Sequence, residues 1–158
     1  MTGNPPVLFR TIKQAAEYVG GLSEPEKMPG FGYGIPAKEC KTGGKLRKVE
    51  GSVCSICYAL KGNYVFKNVQ DAQYRRLKAM DKPYWIPAMA LILNTKYKNY
   101  LKMKKAGRAV NDCRYFRALD SGDLQSYKHL LMWVSLAKAV PRVKFWIPTR
   151  EVGLGWCT

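Results

Sequence analysis

Three cysteines carry the sharpest chemical signal in the sequence: Cys40, thirteen residues, Cys54, two residues, Cys57, and then Tyr58. Two thiols separated by two residues can turn back on one metal centre, because the intervening backbone closes a tight loop. A third thiol reaches the same centre from any distance if its own loop folds over. Three thiolates without an obvious fourth partner suit a 4Fe-4S cluster with one iron left open. They equally suit a zinc site completed by Cys113, Cys157 or His129. Ordinary buried or surface thiols are the third alternative. An odd total of five cysteines argues against a disulfide framework and for thiols kept reduced.

Polar groups that could act beside such a centre occur in two clusters, Asp120, Ser121 and Asp123, and Thr149, Arg150 and Glu151. Each follows a segment that reads as a strand, and in parallel α/β architectures ligand-binding groups collect at strand carboxyl ends. Carboxylates there can bind ribose hydroxyls or move protons, and Arg150 can hold a carboxylate or phosphate. Asp120, Asp123 and Arg150 are the catalytic candidates; Ser121, Thr149 and Glu151 are candidates for cofactor contacts. Asp-Ser-Gly-Asp is also good turn and capping chemistry, so Ser121 or Asp123 could simply serve the following helix.

A third group is basic. Lys96, Lys98, Lys102, Lys104, Lys105 and Arg108 fall within fourteen residues that hold no acid and include Tyr97 and Tyr100. Lysines would neutralise phosphates and tyrosines would stack on exposed bases. The alternative places Tyr97, Tyr100 and Leu101 against the core and the lysines in water. The whole chain has 27 Lys and Arg against 11 Asp and Glu, a formal net charge of +16. A polyanion is the commonest partner that relieves such self-repulsion.

The elements that must position these groups follow from periodicity. Leu8, Ile12, Ala15, Ala16 and Val19 predict a short helix stopped by Gly20-Gly21. Residues 23–51 are rich in Gly and Pro, with a short strand over Phe31–Ile35. A helix capped by Asn68 is expected next, and another from about Pro87 to Lys105, with Pro87 in its first turn. Cys113–Leu119 reads as a strand. Leu124, Tyr127, Leu130, Leu131, Val134 and Ala137 mark a helical face that ends before Pro141, and Val143–Ile147 reads as a second strand. Strand, helix, strand makes a βαβ unit with parallel pairing. Trp85, Trp133 and Trp146 are assigned to the core, and His129 to a helix surface or the core. The fold class is α/β, a partial parallel sheet. Residues 1–27 are read as an arm and short helix, and 28–158 as a single domain.

Two resemblances bear on function. Cys54-Ser-Ile-Cys57-Tyr58, with Cys40 ahead of it, resembles the cluster loop of radical S-adenosylmethionine enzymes, although that superfamily usually has three residues between its first two cysteines. The resemblance implies that Cys40, Cys54 and Cys57 hold a 4Fe-4S cluster whose open iron takes the methionine moiety of S-adenosylmethionine, with Tyr58 near the adenine. It also implies a fragment of a radical-enzyme-like barrel, since a closed barrel needs roughly 250 residues. Met28–Cys40, Ser52–Gly62, Asp120–Leu124 and Phe145–Glu151 are similar, in order, to bacteriophage proteins of the gene product 88 type. Members usually continue past this point into a region with more cysteines, so a short or truncated chain is expected, working in the host bacterial cytoplasm.

The 158 residues fit one domain, 47% are apolar, and no apolar run is long enough to span a bilayer. Neither a secretory signal in Met1–Arg10 nor a GxxxxGK phosphate loop is present, and the one His gives no basis for arguing a Ser-His-Asp arrangement. Two readings remain open. One is a phage iron–sulfur protein, radical-enzyme-like, acting on nucleic acid or nucleotides. The other is a non-catalytic basic nucleic-acid-binding protein with structural zinc. A phage interaction protein aimed at a host factor is a third.

Overall fold

Thr11 opens the first helix with a capping box, its hydroxyl accepting from Gln14 N while the Gln14 side chain accepts from Thr11 N. This helix, α1 (Ile12–Tyr18), gives way at Gly20 and Gly21, both at positive φ. The computed structural model describes residues 8–153. Beyond α1 it contains β1 (Phe31–Tyr33), α2 (Lys41–Leu46), α3 (Lys67–Met80), α4 (Trp85–Lys105), β2 (Tyr115–Ala118), α5 (Tyr127–Ala139) and β3 (Lys144–Trp146). The strands form one open parallel sheet in the order β1-β2-β3, with Phe31 opposite Phe116 and Phe116 opposite Phe145. The βαβ unit formed by β2, α5 and β3 is as the sequence predicts. The described residues form an open sheet, and no barrel closes among them.

Tyr33, Phe116 and Ala118 point to the helical face and meet Trp85, Met89 and Ile92 of α4 and Trp133 and Leu136 of α5. Ala15 and Val19 of α1 and Ala79 and Met80 of α3 complete this core. Tyr33, Trp85 and Trp133 pack edge to face, with ring centroids 5.0–5.6 Å apart. The Tyr33 hydroxyl accepts from Trp85 Nε1 at 3.0 Å and lies 2.7 Å from Val19 C=O and 2.8 Å from Arg76 C=O. Burial pushes its pKa well up, so it stays a neutral donor.

Several expectations need correction. α3 begins two residues early, at Lys67, with Phe66 rather than Asn68 in the cap position and no side-chain cap, so Asn68 lies inside the first turn. Ser126 caps α5 by accepting from His129 N, which relieves Ser121 and Asp123 of that role. The buried face of α5 is His129, Trp133 and Leu136, while Tyr127, Leu131 and Val134 are exposed. Trp133 sets the rotation, its large ring packing against Trp85, Tyr33 and Phe116. Trp146 is not core but 54% exposed, because alternation along β3 sends Phe145 inward instead. Leu101 is also exposed. Among the described residues no helix is long and apolar enough to cross a membrane.

Candidate functional site

The chain leaving β1 stays bonded to the chain leaving β2: Leu119 N donates to Tyr33 O at 3.1 Å and Ile35 N to Ser121 O at 3.0 Å. It then turns through Ala37–Glu39 into Cys40, which holds the cap position of α2. Serine hydroxyls order the next segment. Ser52 Oγ donates to Leu46 O and Ser55 Oγ to Ser52 O, while Cys57 N donates to Cys54 O across the two-residue spacing. Cys40, Cys54 and Cys57 all line one cavity of about 400 Å³ at the carboxyl edge of the sheet. A Cβ placed on Gly43 would lie 3.2 Å from Cys40 Cβ, 3.5 Å from Cys54 Sγ and 3.8 Å from Cys40 Sγ. Glycine there lets the two thiols approach.

Burial first, then the nearby Asp123, Cys57 and Cys54, push the Cys40 thiol up to about 12, with Arg47 acting in the other direction. Ligation of a metal would have to displace that proton. Among the described residues no three His, Cys, Asp or Glu side chains are grouped closely enough to grip a single ion. Cys113 precedes β2 and lines a separate cavity with Phe31 and Lys96, at the opposite edge of the sheet. His129 is buried in α5, does not line the thiol cavity, and burial lowers its pKa. Cys157 lies outside the described residues.

The strand-end polar groups bind one another. Asp123, almost fully buried, accepts from Leu124 N and Thr149 Oγ1 through Oδ1 and from Arg150 N through Oδ2, at 2.6–2.7 Å. Glu151, 8% exposed, accepts from Thr42 N at 2.7 Å and Thr42 Oγ1 at 2.8 Å, tying the end of β3 to the first turn of α2. Ser121 donates to Ile35 O and accepts from Gln73 Nε2. The loops after all three strands are therefore fastened together around the cavity. Asp123, Ser121, Thr149 and Arg150 line it, and the Arg150 residue is exposed. Asp120 does not line it. Its carboxylate accepts from Ser23 Oγ at 2.9 Å, and burial raises its pKa against the opposing pull of Ser23, Arg76 and Arg117. Leu119, at φ 59°, turns the chain just past the end of β2, and Gly122 at φ 77° passes directly against Ile35.

Tyr58 lies at the cavity, half exposed, its hydroxyl donating to Asp120 C=O and accepting from Arg117 Nη2 at 3.1 Å. Sequence reading missed Arg117, Thr42 and Gly43. Alternation along Tyr115-Phe-Arg117 would have pointed Arg117 away from the core, and Gly43 stands three residues after Cys40.

Of the basic residues, Lys98, Lys102, Lys104, Lys105 and Arg108 are exposed, the first four on the second half of α4. Lys96 is tucked over the Phe31 ring, 3.6 Å from its centroid, and Tyr100 is only 6% exposed. Tyr100 is therefore unavailable to stack on a base. Lysines in the last turn of α4 also complement the helix dipole.

These features define an α/β protein with a thiol-lined cavity at the carboxyl edge of an open parallel sheet. A family model described as Gene product 88 matches residues 8–155, and the chain belongs to that phage family. The match adds no support to the likeness between the cysteine loop and radical S-adenosylmethionine enzymes. No curated protein and no solved structure matches the chain.

Proposed function

We propose that this chain is an iron–sulfur protein of the phage-infected cytoplasm. Cys40, Cys54 and Cys57 would hold a 4Fe-4S cluster, S-adenosylmethionine would share the cavity, and the reaction would fall on a nucleic acid or nucleotide. The observation that carries this reading is the convergence of three thiols, from two separate stretches, on one cavity at the strand ends. A cluster held by Cys40, Cys54 and Cys57 would supply one-electron reduction of the sulfonium of S-adenosylmethionine.

The protein's own groups would do the positioning. Glu151 ties α2, which follows Cys40, to the chain after β3, and Asp123 ties the loops after β2 and β3 together. Arg150 would offer its guanidinium to a carboxylate or phosphate at the rim. Tyr58 presents a half-exposed ring beside the thiols, a surface on which an adenine can lie. The exposed lysines of α4 would attract the polyanion electrostatically.

Anaerobic purification of the full chain, with iron, sulfide and zinc quantified, tests this. About four irons and four sulfides per chain are expected, together with release of 5′-deoxyadenosine when dithionite and S-adenosylmethionine are added. Cys40→Ser, Cys54→Ser and Cys57→Ser should each lose the iron. One zinc per chain, retained by a Cys113→Ser variant, would overturn the cluster and leave a structural metal in a nucleic-acid-binding protein.

A further inference from the structure

The core helices cover one face of the sheet. On the other face, alternation brings out Tyr115 and Arg117 of β2 and Lys144 and Trp146 of β3. The parallel register sets Tyr115 opposite Lys144 and Arg117 opposite Trp146. Each row pairs a cation with a ring: Arg117 Cζ lies 4.6 Å from the Trp146 centroid and Lys144 Nζ 5.8 Å from that of Tyr115. Trp146 is 54% and Tyr115 38% exposed, and neither strand contains an acid.

Aromatic rings alternating with cations on an open sheet offer stacking surfaces to unpaired bases and charge to the phosphates between them. A duplex, whose bases are already stacked, cannot use the rings. Arg117 joins this face to the thiol cavity. It lines the cavity and donates to the Tyr58 hydroxyl, and its Nε is buried with no partner in the protein.

We propose that the exposed sheet face is a single-stranded nucleic-acid platform, with bases on Trp146 and Tyr115 and phosphates on Lys144 and Arg117, leading a nucleotide to the thiol-lined cavity. The inference rests on the nucleic-acid reading above for the class of partner, and adds the strandedness and the surface. Charge complementarity selects this occupant over a second, equally basic copy of the chain.

Fluorescence anisotropy with the full chain tests it, using labelled oligothymidylate of about twenty nucleotides and the duplex it forms with oligoadenylate. The single strand should bind more tightly than the duplex. Trp146→Ala and Tyr115→Ala should each weaken single-strand binding about fivefold to a hundredfold, with the salt slope unchanged. Trp146→Phe should retain binding, and an unchanged urea midpoint would show that the alanine variants fold. Replacing Lys98, Lys102, Lys104 and Lys105 with Gln should flatten the salt slope and weaken both forms alike. If the lysine variant loses affinity while both alanine variants bind as wild type, the platform is wrong and the nucleic-acid reading stands. If the unaltered chain binds neither form at low salt, both fall. Equal affinity for duplex and single strand, or a dimer dispersed by Trp146→Ala, would also overturn the platform.

Discussion

Glu151 links the end of β3 to a helix 109 residues earlier, and its removal has a calculable local consequence. The carboxylate accepts two hydrogen bonds from Thr42, one of them from the backbone N–H at the second position of α2. Charge-assisted bonds of this kind contribute about 1.5–3 kcal/mol each, and they are not fully additive. A carboxylate at a helix N-terminus adds about 0.5 kcal/mol. α2 has only six residues, two of them glycine, so it has little stability of its own. Glu151→Ala should therefore cost roughly 3 kcal/mol locally, raising the open population of the cysteine segment on the order of 100-fold. Hydrogen exchange read by mass spectrometry should show that loss of protection in peptides covering residues 41–57, with peptides of β2 and α5 unchanged. Glu151→Gln should fall between, since its amide oxygen still accepts one bond. Wild-type protection of residues 41–57 in the alanine variant would refute the idea that the sheet holds the thiol loop in place.

Two further outcomes follow from single residues. Gly122→Ala should destabilise by several kcal/mol, because φ is +77° and the new methyl would overlap the Ile35 backbone; a urea midpoint within error of wild type would contradict this. His129 is buried with Nδ1 unpartnered, and desolvation lowers its pKa, so the unfolded chain binds the proton more readily than the folded one. Its contribution to stability is complete above about pH 6.5 and is lost as the pH falls from there towards the folded value. Comparing urea midpoints at pH 7.5 and 5 for wild type and His129→Gln should show a smaller acid loss in the variant.

The sheet and the long helices were legible because their apolar periods are local. Phe116, Ala118, Phe145, Trp85 and Met89 sit where alternation or helical spacing puts them. The face of α5 was misjudged because the apolar positions taken for it left out Trp133, although that residue was itself assigned to the core, where its large ring packs and Leu131 stays exposed. α2 was invisible because Lys41-Thr-Gly-Gly-Lys-Leu46 has poor intrinsic propensity, and its order comes in part from Glu151. The strand-end candidates were found by topology, but their chemistry was not. Asp123 and Glu151 bind neighbouring loops, which requires knowing contacts across 26 and 109 residues.

The separation of core from cavity also bears on how the thiol loop can vary. The packed interior lies against one face of the sheet, whereas Cys40 and Cys54 hang from its edge with α2 folded between them. Closing a flexible loop costs only about 0.6 kcal/mol for each doubling of its length. Inserting residues near Gly51, which has open space around it, would thus tax the fold very little. The chain between Cys40 and Cys54 can therefore lengthen at Gly51 at little cost, whereas Cys54 and Cys57 are linked directly by the Cys57 N to Cys54 O bond.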